Sequence, residues 1–145
     1  MYQVIIADDE AKIRSGLANL FPWNQLGFEI AAVCSNGKEA LDFAMENPVV
    51  LCDIRMPIMD GLELSRLLLP KKPVKMVFCS GYQDFNYARQ AMKNGVSDYL
   101  LKPVKYEDLS DCLTRIRETL DMEKGLAQPE EENLSYYEKI INTVT

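Results

Sequence analysis

Asp8, Asp9, Asp53, Ser80 and Lys102 each stand where a hydrophobic, strand-like run stops. Three are carboxylates, one is a small hydroxyl and one is an amine. In an open parallel α/β sheet the carboxyl ends of the strands form the rim where ligands bind. Gathered on one rim, these groups make a magnesium site around an aspartate, with a cation beside it to meet an incoming phosphoryl group.

Electrostatics explains why carboxylates would converge there. Two unit charges about 4 Å apart repel by roughly 4 kcal/mol at an effective dielectric near 20. Three such pairings need a compensating ion or a raised pKa. Mg²⁺ answers this need, because it takes one or two carboxylates, waters and phosphate oxygens in octahedral geometry. Asp53 is then the nucleophile, since a carboxylate attacking phosphorus forms an aspartyl phosphate. Lys102 supplies a point charge to the transferring group, and Ser80 a hydroxyl to one of its oxygens.

Taken singly, each residue has a plainer explanation. An acidic pair after a strand is commonly a solvated cap, a Ser-Gly pair a turn, and a lysine before proline a surface residue. The joint pattern at the ends of strands 1, 3, 4 and 5 is what selects the chemical reading. Pro103 adds to it by biasing Lys102 towards extended geometry, and a cis Lys102–Pro103 bond is compatible with that geometry.

The elements that position these groups alternate between strand and helix. Val4-Ile5-Ile6-Ala7 is an apolar run, followed by Ile13, Leu17, Leu20 and Phe21 at the spacing of one helix face. Phe28 to Cys34 reads as a second strand, interrupted by Glu29 as an edge strand would be. Asn36 with Glu39 three residues on forms a capping signal before Ala40, Leu41, Ala44 and Met45. Val49-Val50-Leu51-Cys52 is the third strand, and residues 61–69 a short helix stopped by Pro70. Residues 74–79 make the fourth strand. Asp84 is placed to cap a helix carrying Phe85, Ala88, Ala91 and Met92, with Gly95 at C′. Residues 96–101 hold the fifth strand, and Leu109, Cys112, Leu113, Ile116 and Leu120 a last helical stripe.

Continuously apolar strands such as the first and third indicate burial on both faces and hence a parallel sheet. Right-handed crossovers then place helices on both sides. The expected fold is α/β: a flavodoxin-like (βα)₅ doubly wound parallel sheet of strand order 2-1-3-4-5, with a short C-terminal helical tail. Residues 1–122 form the domain, 123–132 a linker rich in glutamate, and 133–145 a helical segment. The apolar stripe Leu134, Tyr137, Ile141 and Val144 cannot be stable alone. It either docks back on the domain or begins a further domain, and the second reading is preferred.

Bulk properties narrow the class. The chain has 145 residues, 48% of them hydrophobic and 26% charged, which suits one domain and an appendage. No apolar run approaches membrane-spanning length, and the start lacks the features of a signal peptide. The balance of 16 basic to 22 acidic residues, a net charge of −6, disfavours direct DNA binding. Cys34, Cys52, Cys79 and Cys112 have no metal-ligand spacing and read as small buried thiols in a reducing, cytoplasmic setting. The absence of histidine excludes imidazole-based triads, His-containing zinc sites and imidazole acid–base chemistry.

The segments Ala7-Asp8-Asp9-Glu10, Asp53-Ile54-Arg55-Met56-Pro57-Ile58-Met59-Asp60-Gly61, Ser80-Gly81-Tyr82 and Asp98-Tyr99-Leu100-Leu101-Lys102-Pro103 resemble the receiver domain of two-component response regulators. The likeness spans roughly residues 1–122. It implies that Asp53 accepts a phosphoryl group from a phosphohistidine of a sensor histidine kinase. It further implies that Asp9 ligates Mg²⁺ directly, Asp8 mostly through water, and the Arg55 backbone carbonyl alongside them. Ser80 and Tyr99 would be switch residues that remodel the surface of the fourth helix, fifth strand and fifth helix, through which a homodimer would form.

The finer match, with Ser80-Gly81-Tyr82-Gln83-Asp84-Phe85, resembles receivers fused to AraC-type helix-turn-helix domains. That implies a transcription regulator reaching DNA only through an output domain outside this chain. Tyr99, Phe85, Tyr87 and Met92, read without the resemblance, are ordinary packing residues. The stretch Met45-Glu46-Asn47-Pro48-Val49 is about two residues shorter than is usual in the family, which bears on where the second helix ends.

Two other classes compete. A phosphatase of the haloacid dehalogenase type also uses a strand-end aspartate, but needs a second acid two positions on, where this chain has Arg55. A degenerate receiver, acting only as an interaction module, would have lost an acidic or lysine position, and none is lost.

Overall fold

The computed structural model describes residues 1–125, apart from the side chains of Tyr82 and Phe85. The expected 133–145 segment, most of the 123–132 linker and the packing of Phe85 lie outside the described residues. Five parallel strands, β1 (Tyr2–Ala7), β2 (Phe28–Cys34), β3 (Val49–Cys52), β4 (Lys75–Ser80) and β5 (Asp98–Leu101), form one sheet in the order β2-β1-β3-β4-β5. This is the flavodoxin-like order expected from the sequence. Around it lie helices α1 (Ala11–Asn19), α2 (Trp23–Leu26), α3 (Gly37–Ala44), α4 (Gly61–Leu68), α5 (Phe85–Lys93) and α6 (Tyr106–Lys124).

Hydropathy sorts the strands by position. β3 is buried along its whole length, as are the last four residues of β1 and the last five of β4. β2 alternates between covered and exposed residues, as befits an edge. Successive residues of the inner strands point to opposite faces. Ile5, Val50, Met76 and Phe78 pack under Ala40, Ala44, Leu64, Leu68 and Ala91. Val4, Ile6, Leu51 and Val77 pack under Leu17, Leu109, Cys112, Leu113 and Ile116. Helices α3, α4 and α5 therefore cover one face, α1 and α6 the other. All four cysteines are free and buried within these layers.

The helix ends follow local chemistry. Asn36 accepts from the Glu39 amide at 2.9 Å, while the Glu39 carboxylate accepts from the Ser35 amide and hydroxyl, closing the expected cap on α3. The short connection after α3 is sealed from outside: Asn47 Nδ2 donates to the Phe43 carbonyl and Lys72 Nζ to that of Met45. Helix α3 ends at Ala44, and these bonds take up the carbonyls its last turn leaves free. Gly95, with φ of +95°, turns the chain out of α5 as expected.

Three packing expectations are corrected. Leu20, assigned to the inner face of the first helix, is 81% exposed. Helix α1 stops at Asn19, and Trp23 of the unanticipated turn α2 enters the core instead, its indole donating to the Leu17 carbonyl at 2.8 Å. Tyr87 and Met92, read as core, are exposed on α5. Only Ala88 and Ala91 of that helix's described side chains are buried, because α5 lies close over the sheet and admits small residues there.

Candidate functional site

Register carries the charged residues to one rim. Ala7 pairs with Cys52, Cys52 with Phe78, and Ser80 with Leu101. The residue after each strand inherits that alignment. Backbone bonds continue the ladder past the strand ends: Asp8 N donates to the Cys34 carbonyl, Asp53 N to that of Ala7, and Lys102 N to that of Ser80. The Lys102–Pro103 peptide is cis.

Carboxylate oxygens of Asp8, Asp9 and Asp53 lie within 4.8 Å of one another. Asp8 and Asp53 are buried and Asp9 faces solvent. Lys102 Nζ reaches between the two buried acids, 2.7 Å from Asp8 Oδ2 and 3.1 Å from Asp53 Oδ2. The second oxygens are held by backbone amides, Asp8 Oδ1 by Glu10 N–H at 2.9 Å and Asp53 Oδ1 by Ile54 N–H at 2.8 Å. Asp53 is thus pinned at both oxygens.

Burial raises the Asp53 pKa above its ordinary value, with the Asp8 charge adding to it, against the lowering pull of Lys102. Burial would depress Lys102, but its hydrogen bond to Asp8 and the charges of Asp53 and Asp8 raise it on balance. One ammonium paired with two of three clustered carboxylates leaves the cluster short of positive charge. The donor set is all hard oxygen, the kind that suits a small hard dication.

The loop from β3 to α4 is shaped around Asp53. Gly61 N donates to the Ile54 carbonyl at 2.7 Å, and a Cβ on Gly61 would stand 2.5 Å from the Asp53 carbonyl oxygen. Only glycine permits that approach. Asp60 caps α4 by accepting from the Glu63 amide. Ile58, 76% exposed, holds φ of +70°, a strained setting for a β-branched residue. Between this loop and α5 lies an open cleft of about 530 Å³ lined by Asp9, Arg55, Pro57, Asp60 and Tyr87.

Ser80 is buried at the rim, but its hydroxyl donates to the Asp84 carboxylate. Asp84 is the N-cap residue of α5, yet its side chain caps no amide. That corrects the expected capping role: the carboxylate serves Ser80 and pairs with Arg55, whose Nε stands 2.7 Å from Asp84 Oδ1. The same guanidinium lies 5.1 Å from the centroid of the Tyr87 ring. Sequence reasoning missed this Ser80–Asp84–Arg55 chain. Its one signal was an acid four residues after a strand-end serine, indistinguishable from a helix cap. Tyr99, half-buried on the edge strand, donates from its hydroxyl to the Gly81 carbonyl at 3.1 Å. Burial and the nearby Asp84 charge raise its pKa.

A family model described as the response regulator receiver domain matches residues 4–114. The chain belongs to the response regulator receiver family. It is similar to YesN of Bacillus subtilis (strain 168), an uncharacterized transcriptional regulatory protein, at 38% identity over 119 residues, covering 80% of this chain and 32% of the relative. The transcriptional regulatory protein HptR of Staphylococcus aureus (strain NCTC 8325 / PS 47) is 35% identical over 122 residues, covering 83% of this chain and 48% of the relative. The chain spans half or less of the length of these two curated relatives.

Among solved structures, the REC domain of AraT, a response regulator from Geobacillus stearothermophilus, superposes with TM-score 0.79 at 39% identity, covering 85% of this chain and 98% of that one. A two component transcriptional regulator AraC from Clostridium phytofermentans ISDg gives TM-score 0.76 at 32% identity, covering 88% and 100%. Among the described residues no helix is long and apolar enough to cross a membrane.

Proposed function

We propose that this receiver accepts a phosphoryl group on Asp53 from a sensor histidine kinase and passes that state to a DNA-binding output domain. The observation that carries the reading is Lys102 bridging Asp8 and Asp53 beside Asp9 on one rim.

The chain's own residues divide the work. Ile54 N–H and Lys102 fix both oxygens of Asp53, so a carboxylate oxygen is presented to phosphorus without losing orientation. Attack forms the P–O bond of an acyl phosphate as the P–N bond to the donor imidazole breaks, its electron pair staying with that ring. Lys102 remains to face the transferred oxygens with positive charge. Asp9, Asp53 and the Arg55 carbonyl, with Asp8 mostly through water, would hold Mg²⁺, and the all-oxygen, net anionic donor set fits it. When bound, Mg²⁺ supplies charge neutralisation and alignment for the phosphoryl oxygens.

Ser80 and Tyr99 form the switch. A phosphoryl group on Asp53 draws the Ser80 hydroxyl, and Tyr99, tied to the neighbouring Gly81 carbonyl, follows. The changed surface is the face of α5, β5 and α6, where a homodimer would form. The output domain follows the linker, and the setting is cytoplasmic. A net charge of −6 supports leaving DNA contact to that domain. Residues 1–122 are the receiver, 123–132 a linker, and 133–145 the start of the output domain. Against the phosphatase alternative, the side chain two residues after Asp53 is Arg55, and it is engaged with Asp84.

Acetyl phosphate with Mg²⁺, followed by intact mass, tests the reading. One added phosphate, absent in chelator, is expected. Continuous phosphate release without an adduct would favour the phosphatase, and no reaction a degenerate receiver.

A further inference from the structure

Ser80 has one hydroxyl proton, and it is committed to Asp84. The acceptor is no solvated surface acid. Asp84 is 3% exposed, and its only cationic partner among the described residues is Arg55. A buried carboxylate needs its hydrogen bonds, and bonds to an ionised acceptor are stronger than neutral ones. If Ser80 turned to a group on Asp53, Asp84 would lose its hydroxyl donor while staying buried. The resting orientation of Ser80 is therefore held by a bond whose loss has a cost.

We propose that Asp84 is a positioning residue that locks the Ser80 hydroxyl in the resting orientation, with Arg55 as its counter-ion, and so sets the threshold for switching. This rests on the reading of Asp53 as phosphoacceptor and of Ser80 as switch. Arg55 joins the two ends of the device. Its backbone belongs to the loop that follows Asp53, and its guanidinium neutralises the acid that retains Ser80 and covers Tyr87 on α5. Tyr99 is tied in through Gly81, the residue after Ser80. Release of Ser80 from Asp84 thus bears on both the phosphorylation loop and the α5–β5 surface. Among the described residues Asp84 makes no hydrogen bond or ion pair with Asp53 or Lys102, whose own contacts with Asp8 and the Ile54 amide do not involve it.

The test uses backbone amide NMR shifts of Gly81 and Tyr99, read between the resting state and the state with Mg²⁺ and beryllofluoride, a stable mimic of the phosphoryl group. Asp84→Ala without beryllofluoride is expected to shift these resonances part of the way to the activated end. It should also reach half-saturation at about tenfold lower beryllofluoride, equivalent to ~1.4 kcal/mol. Asp84→Asn keeps a neutral acceptor for Ser80 in the same shape and should shift them less, in the same direction. It decides the question if Asp84→Ala fails to fold. Adding Ser80→Ala to Asp84→Ala should abolish the shift, which a general loosening of α5 would not do. A wild-type chain that responds to beryllofluoride while both Asp84 variants rest at the wild-type position would overturn the lock alone. A wild-type chain with no response would overturn the phosphoacceptor reading and the lock with it.

Discussion

The two rims of the sheet use the same kinds of polar contact to opposite ends. At the carboxyl rim, Lys102 bridges Asp8 and Asp53 in a buried cluster with more negative than positive charge. At the opposite rim, Tyr2 donates to Asp121 at 2.5 Å, Lys75 pairs with Glu123 at 2.7 Å, and Arg117 donates to the Leu26 carbonyl at 3.0 Å. There donors and acceptors match one for one, and the acids are exposed. The amino rim ties the last helix to the sheet, with one exposed ion pair and two bonds between a charged and a neutral group. The carboxyl rim is left short of positive charge. That shortfall is what the proposed ion and phosphoryl group would use.

The sharpest way to break this contrast is Lys102→Met. It leaves the buried Asp8 and Asp53 without their cation, and breaking a buried pair costs about 3 kcal/mol. Urea denaturation in chelator should show that loss, with part recovered in millimolar Mg²⁺. A loss within experimental error would mean that the carboxyl rim is as balanced as the other. Next in size is the ion itself. At a hundredfold excess over its Kd, Mg²⁺ should stabilise the wild-type chain by about 2.7 kcal/mol. Asp9→Ala should remove that gain with little other effect, because Asp9 is exposed. Equal stabilisation of both chains would place the ion elsewhere.

Asp53→Asn sharpens the comparison in the other direction. A raised pKa means that the folded state disfavours the ionised carboxyl above its ordinary titration range. The amide variant should therefore unfold at higher urea than wild type in chelator at neutral pH, while taking up no phosphate. The smallest effects belong to the amino rim. Tyr2→Phe should cost about 1 kcal/mol, and Lys75→Ala no more than ~1 kcal/mol. Burial and the bond to Asp121 push the Tyr2 phenol up to about 12, so its contribution holds below the ordinary value of 10.0 and is lost as pH rises between the two. Absorbance titration of the phenols, wild type against Tyr2→Phe, reads that step.

How far the sequence discloses this molecule depends on whether one local pattern has one physical meaning. The continuous apolar runs of β1 and β3 demand two covered faces, and the alternation in β2 demands an edge, so a doubly wound parallel sheet followed from hydropathy and crossover rules, while the full strand order came with the flavodoxin-like fold type. Asp8, Asp53, Ser80 and Lys102 were legible because a strand end fixes its next residue on the rim. Asp84 was not, since an acid before a helix satisfies a cap on paper, and only the buried Ser80 hydroxyl beside it decides otherwise. Leu20 failed for a similar reason. Its spacing fits a helix face, but Trp23, three residues on, has more area to bury and takes the place. Tyr87 and Met92 carry helical spacing too, and close packing of α5 through Ala88 and Ala91 leaves them outside.

Locating the acyl phosphate is the most direct measurement of the central claim. After reaction with acetyl phosphate and Mg²⁺, borohydride reduction converts a phosphorylated aspartate to homoserine, which peptide mass spectrometry can place. The account predicts homoserine at position 53 alone, and none when Mg²⁺ is chelated. Homoserine at Asp8, Asp9 or Asp84 instead, or uptake that ignores the chelator, would contradict it.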